Sequence, residues 1–208
     1  MDWDSEVTDL EWCREFIDHH CILRSPPGKS LLTSKTGGLN TWQFYTPIAV
    51  LDQQFAFRVA QMFWEYFEPK LPFQICSCES GGVPLLSALQ AQVPVNGFVI
   101  KKQAKAYGIK NWLEGVVDPD LPVLLIDDII GGGGTLTAQA ARLVEFGLKL
   151  HPEAFCIAAC KNKGPQIIKV GEQEIAVKTF YSPDDFVRTY GGYVAKYNQN
   201  PQFYGTIV

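Results

Sequence analysis

The sequence has no long apolar run, no block of like charge and no paired-cysteine spacing, and each absence removes a class of function. No stretch approaches the roughly 20 apolar residues that a membrane-spanning helix needs. Lysine and arginine total 18 against 22 for aspartate and glutamate, leaving a net charge of −4. That balance provides no basic footprint for nucleic acid, and no basic amphipathic helix is present for a membrane surface. A compact, anionic small molecule fits the composition better. The opening MDWDSEV is acidic and lacks the basic and then apolar regions of a signal peptide, so a cytoplasmic protein is expected. Internal repeats and low-complexity tracts are also missing, apart from two glycine turns of similar plan.

Six cysteines are present, but their settings argue against metal chemistry. Cys76 and Cys78 lie in QICSC, and Cys156 and Cys160 in AFCIAAC, both strand-like and flanked by small or apolar residues. No histidine pattern accompanies them, and the spacings differ from the paired CxxC of structural zinc sites. They read as buried free thiols. The tandem His19 and His20 stand near a helix end and read as structural or exposed.

A chain of 208 residues is long enough for one domain with a full core. Residues 9 to 21 place Leu10, Cys13, Phe16, Ile17 and His20 on one helical face. Residues 25 to 46 are rich in Pro, Gly, Ser, Thr and Asn, predicting loops and short strands with a hairpin turn near Gly37 and Gly38. Residues 47 to 68 carry apolar positions at helical spacing behind Pro47. Strands are then predicted at 73 to 78, 95 to 100, 123 to 126 and 155 to 159 and in EIAVKTFYS, with helices after Gly82 and Gly134. This alternation predicts an α/β fold, a central parallel sheet with helices on both faces. The packed core is expected over about 47–180, with a small hood from 1–46 and 181–208 over the C-terminal edge of the sheet.

The stretch that organises this plan is VLLIDDIIGGGGTLT, from Val123 to Thr137. Its first four residues form a continuous apolar run, as a strand buried on both faces should. Asp127 and Asp128 follow at the strand's C-terminal end, where open α/β sheets bind ligands. Gly131 to Gly134 let backbone N–H groups approach an anion, and Thr135 or Thr137 is placed to cap the next helix. Glu79, Ser80, Gly81 and Gly82 repeat the strand, glycine turn and helix plan more weakly. Lys101, Lys102, Lys105 and Lys110 cluster after the strand that ends at Ile100, a concentration best explained by neutralising phosphate. A sugar phosphate is the expected guest.

Five stretches in order resemble the type I phosphoribosyltransferases, nearest to the orotate group. VLLIDDIIGGGGT is similar to the family's motif for phosphoribosyl pyrophosphate (PRPP). TSKTGG with Lys35 resembles the hood lysine, and CESGGVP the pyrophosphate loop, in which a non-proline cis peptide is common. KKQAKAYG resembles the mobile catalytic loop with its Gly108, and IAACKNKG the strand and loop that contact the base. The resemblance implies transfer of phosphoribosyl from PRPP to a nitrogenous base, orotate first, with release of pyrophosphate. It implies that Asp127 and Asp128 take the ribose hydroxyls, while Ile129, Gly131, Gly132, Gly133, Gly134 and Thr135 hold the 5-phosphate end. Ser80, Gly81, Gly82, Lys101 and Lys102 would receive the pyrophosphate, with Lys35 and Lys105 neutralising it as it leaves. Magnesium would bridge its oxygens, bound through PRPP and reaching Asp127 and Asp128 through water, and the protein would be a homodimer. Four positions depart from the orotate pattern: Gly131 and Gly132 replace hydroxyl residues, Lys101 an arginine, Tyr107 a histidine, and Lys161 the arginine that pairs with the orotate carboxylate. Another acceptor base, or a catalytically weak PRPP- or nucleotide-binding regulator of the same fold, is the alternative reading.

Overall fold

The computed structural model describes residues 7–24, 32–33, 39–40, 42–78, 80–103, 111–160 and 166–186. Helix α1 (Asp9–His20) opens the described chain. Thr8 caps it reciprocally with Glu11, satisfying two N–H groups of the helix start. The buried face is Trp12, Cys13 and Ile17, which joins the core beside α3. Leu10, expected inside, is instead 47% exposed, because Trp12 occupies the inward position and packs on Phe16. The packed body therefore begins at Asp9, ahead of the expected boundary near residue 47. His20 packs at a tilt on Phe16, and His19 Nδ1 lies 2.8 Å from the Glu15 carbonyl.

Strands β1 (Ile22–Arg24), β2 (Leu32–Thr33), β3 (Leu39–Asn40) and β4 (Trp42–Phe44) follow. β1 pairs antiparallel with β4, and β2 with β3; the turn expected near Gly37 and Gly38 lies outside the described residues. The expected single helix over 47 to 68 is two helices, α2 (Pro47–Val50) and α3 (Gln53–Phe67). The break comes from Asp52, whose carboxylate accepts the Phe55 N–H at 3.0 Å and starts α3 afresh.

A seven-stranded sheet is built from β5 (Gln74–Cys78), β6 (Gly97–Ile100), β7 (Leu113–Glu114), β8 (Val123–Ile130), β9 (Leu150–Ala159), β10 (Gln166–Val170) and β11 (Gln173–Tyr181). Its order is β10-β11-β9-β8-β5-β6-β7. The five inner strands run parallel, while β7 and β10 pair antiparallel at the two edges. Helix α4 (Gly82–Gln90) follows β5, and α5 (Gly134–Glu145) follows β8. Because the side chains of a strand alternate, β8 feeds two cores. Leu124 and Ile126 face α1, α3 and α4, with Phe63, Phe67 and Phe155. Val123 and Leu125 face α5, with Leu136, Ala140 and Leu143. Five of the six cysteines are buried and none is in a disulfide, and burial raises the Cys13 and Cys21 thiols to about 12.

The antiparallel edges were not expected. β10 is joined to β11 through Gly171, which takes a positive φ of 58° as a two-residue hairpin requires. Only one face of this edge strand is covered, with Gln166 and Ile168 buried and Ile167 exposed. The two ends of the described chain also meet: the Tyr181 hydroxyl donates to the Leu10 carbonyl at 2.8 Å, and Phe44 packs edge-on against Phe186.

One buried polar side chain fastens the approach to β8. Gln74, 1% exposed, donates to the carbonyls of Asp118 and Leu121 and accepts the Asp118 N–H at 3.0 Å. Gln74→Ala leaves three backbone groups without partners. It should cost about 2–4 kcal/mol in urea unfolding, the usual price of unmade buried hydrogen bonds.

Candidate active site

β8 outruns its neighbour on one side only. Its pairing with β5 ends at Ser77 and Ile126, whereas β9 accompanies it to Ile130. Asp127 and Asp128 therefore lie inside the hydrogen-bonded strand, extending it four residues past the expected end. The space vacated by β5 is filled by the turn into α4. A Cβ built on Gly81 would lie 2.7 to 2.8 Å from the three carboxyl atoms of Asp128. On Gly82 it would meet Asp127 Oδ1 at 3.2 Å and the Ile126 carbonyl at 3.3 Å. A side chain at Gly81 would thus displace the Asp128 carboxylate, while Gly82 is packed tightly against Asp127 and β8.

The carboxylates are engaged locally. Asp127 Oδ1 accepts the Asp128 N–H at 3.0 Å, and Asp128 Oδ1 accepts the Ile129 N–H at 2.9 Å. Asp128 Oδ2 accepts a close hydrogen bond from the hydroxyl of Thr46, a residue 82 positions earlier in the chain. Burial and then the neighbouring Asp128 charge raise the Asp127 carboxyl from 3.8 to about 7. Lys102, exposed just beyond β6, opposes that rise through its charge. The buried Ser77 hydroxyl, beside Gly82, has no hydrogen-bond partner.

Helices α4 and α5 both begin at this edge, because they follow the adjacent parallel strands β5 and β8. Each is capped by a glycine, Gly81 or Gly133, with no side-chain hydrogen bond to its first turn. The expected caps Thr135 and Thr137 lie within α5 instead, since the helix starts at Gly134 with Gly133, at a left-handed φ of 75°, as its N-cap. Uncapped first-turn N–H groups and the positive end of the helix dipole favour an anion. The structure thus presents two anion-accepting helix starts on either side of an acid pair. Gly132 and Gly134 are exposed with open space around the Cβ position, whereas a Cβ on Gly133 would press on Ile168 Cγ2 at 2.9 Å.

Of the residues expected at the site, Ser80, Gly81, Gly82, Lys102, Asp127, Asp128, Ile129, Gly131 to Gly134 and Thr135 gather at this edge. Lys101 does not. Its side chain is 2% exposed, with Nζ 2.9 Å from Asn111 Oδ1 and 2.5 Å from Glu114 Oε1. Its ammonium is thus committed to the β6–β7 edge, whereas the exposed Lys102 acts on Asp127 through its charge. Lys35, Lys105 and Lys161 lie outside the described residues, as do Tyr107 and Gly108. The cis peptide found among the described residues is Leu71–Pro72. Thr46 was missed: the Thr-Pro start of a helix was visible, but its partner across the fold was not.

As donors for a metal, two carboxylates offer hard oxygen ligands, the number magnesium takes when substrate phosphates and water complete its shell. No cluster of three or more His, Cys, Asp or Glu that could hold an ion by itself occurs among the described residues. The donor set fits a magnesium ion carried in with a phosphate ligand.

No family model matches the chain. Among solved structures, orotate phosphoribosyltransferase of Mycobacterium tuberculosis superposes with a TM-score of 0.66 at 16% identity, covering 85% of this chain and 98% of that one. The same enzyme in complex with PRPP gives 0.60 at 13% identity with the same coverage. The orotate phosphoribosyltransferase of Aeropyrum pernix gives 0.61 at 14% identity, covering 90% of this chain and 98% of that one. The chain has the type I phosphoribosyltransferase fold. In sequence, this phosphoribosyltransferase-like chain is 30% identical over 77 residues to orotate phosphoribosyltransferase of Pyrococcus abyssi. That match takes in 37% of the chain and spans 42% of the relative's length. The similarity in sequence and fold is thus to orotate phosphoribosyltransferases, with the sequence match confined to less than half of the relative.

Two outcomes test this geometry. Gly133→Ala should lose about 1–3 kcal/mol of stability from its left-handed backbone and the Ile168 contact, whereas Gly132→Ala should stay within about 0.5 kcal/mol of wild type in the same unfolding measurement. Asp127 provides the second. A carboxyl whose proton is held more tightly in the folded than in the unfolded chain loses stability as pH rises from about 4 to about 7. Asp127→Asn mimics the protonated group, so its melting temperature should exceed wild type at pH 8 and match it at pH 4; an equal difference at both pH values would refute the burial argument.

Proposed function

We propose that this chain is a PRPP-dependent phosphoribosyltransferase whose first acceptor is orotate. The observation that carries the reading is the acid pair flanked by the two uncapped helix starts, Gly81–Gly82 and Gly133–Gly134. PRPP has that pattern: a phosphate at C5, a pyrophosphate at C1 and hydroxyls between them. The N–H groups of Gly131 to Gly134 and the start of α5 receive the 5-phosphate, with the Thr135 hydroxyl as an added donor. Asp127 and Asp128 accept from the ribose hydroxyls. Ser80, Gly81 and Gly82 receive the pyrophosphate at the start of α4, and Lys102 faces its charge.

In the reaction the bond from C1 to the pyrophosphate oxygen breaks and a bond from C1 to a base nitrogen forms. Positive charge develops at C1 in between, close to two carboxylates. The electrostatics favour that charge because Asp127 is buried and Asp128 half-buried, so their field is less screened than in water. Magnesium, when bound with PRPP, supplies neutralisation of the pyrophosphate oxygens. A magnesium ion brought near the acids with PRPP would also favour ionised Asp127, so the proton that burial retains would be released on binding. Lys35 and Lys105 on the leaving group, and Lys161 on the base, complete the reading from sequence resemblance.

Incubation with PRPP, magnesium and a panel of bases should release pyrophosphate, with orotate the first to test. Calorimetric PRPP binding without turnover on any base would replace this reading with that of a PRPP-binding regulator. The paired change Asp127→Asn with Asp128→Asn should abolish PRPP binding while the far-ultraviolet circular dichroism stays unchanged.

A further inference from the structure

Thr46 stands at the N-cap of α2, and its carbonyl accepts the N–H groups of Ala49 and Val50 at 2.9 and 3.1 Å. A threonine at this position ordinarily turns its hydroxyl to an N–H of the first turn. Here the side chain makes no capping bond, and the hydroxyl crosses to Asp128 Oδ2 instead. Thr46 is 3% exposed, so water does not compete for that hydroxyl. Its backbone is fixed by α2, which packs against α1, α3 and α4.

The other restraints on Asp128 come from different directions. The Ile129 N–H holds Oδ1 from within β8, and the Gly81 backbone lies against the carboxyl group. Without the Thr46 hydroxyl, one oxygen is held and the other is free to rotate about the side chain's terminal bond. With it, both oxygens have donors and the plane of the group is set.

We propose that Thr46 is a positioning residue for Asp128, orienting its carboxylate toward the ribose and carrying the placement of the N-terminal segment into the site. This rests on the reading of Asp128 as a ribose ligand. It assigns a role to a residue that none of the five resembling stretches contains. Thr46 lies just after β4, so the pairing of β1 with β4 and the start of α2 become part of what shapes the acid pair.

The test compares wild type, Thr46→Val and Thr46→Ser in the full-length protein, using PRPP and magnesium in calorimetry and pyrophosphate release with the acceptor base. Thr46→Val removes the hydroxyl and keeps the branched shape. It should weaken PRPP binding and kcat/KM by about 10- to 100-fold, the usual cost of a lost hydrogen bond to a charged group. Thr46→Ser restores the hydroxyl and should return both to within about threefold of wild type. Thr46→Ala is the second hydroxyl-free variant should the valine protein fail to fold, and it should behave as valine does. Unchanged PRPP affinity and turnover in a folded hydroxyl-free variant overturn the role of Thr46 while leaving the phosphoribosyl reading intact. So does a serine variant as impaired as valine, since packing rather than the hydroxyl would then be responsible. A wild-type protein that does not bind PRPP at all removes the phosphoribosyl reading, and the positioning role falls with it.

Discussion

Two adjacent carboxylates within a strand, Asp127 buried and Asp128 half-buried, are a costly arrangement, and the architecture around them is what makes it tolerable. An ionised carboxylate out of water needs donors, and here these are the N–H groups of Asp128 and Ile129 and the Thr46 hydroxyl. The fit also leaves no room for a side chain at Gly81, whose Cβ would meet the Asp128 carboxyl at 2.7 to 2.8 Å, and little at Gly82. What is left uncompensated shows as the raised pKa of Asp127, with Lys102 only partly offsetting it. A site in this state favours a cationic or cation-bearing partner that would relieve the repulsion between the acids.

The remainder of the fold holds that pair in place. β8 runs between two apolar cores, so its register cannot slip without moving every side chain to the wrong face. Gln74 binds the 118 to 121 turn that leads into it, and Lys101 is committed to Asn111 and Glu114 across the β6–β7 edge. A buried lysine tied to a carboxylate serves the framework, while its exposed neighbour Lys102 acts on Asp127 through its charge. The contacts of Tyr181 with Leu10 and of Phe44 with Phe186 bring the start and end of the described chain together on the same body.

Much of this plan was readable from local pattern. The apolar run of β8, the glycine turns and the helices after them follow rules that act within a few residues, and the structure contains them all. Errors arose where a local pattern had two solutions. The continuous apolar spacing over 47 to 68 concealed a new helix start at Asp52, and on α1 Trp12 displaced Leu10 from the core. β10 was passed over because an edge strand buried on one face carries a weaker signal than the inner strands.

By itself, the sequence determined that an acid pair would stand at a strand end beside glycine-rich helix starts, because strand burial, turn chemistry and helix polarity are properties of short segments. Only the tertiary structure decided which groups meet there. That Gly81 lies on Asp128, that Lys101 is committed to Asn111 and Glu114, and that Thr46 leaves its own helix uncapped to reach across the fold all depend on the order and relative lengths of strands far apart in sequence. β8 outruns β5 by four residues, and no reading of either strand alone contains that difference.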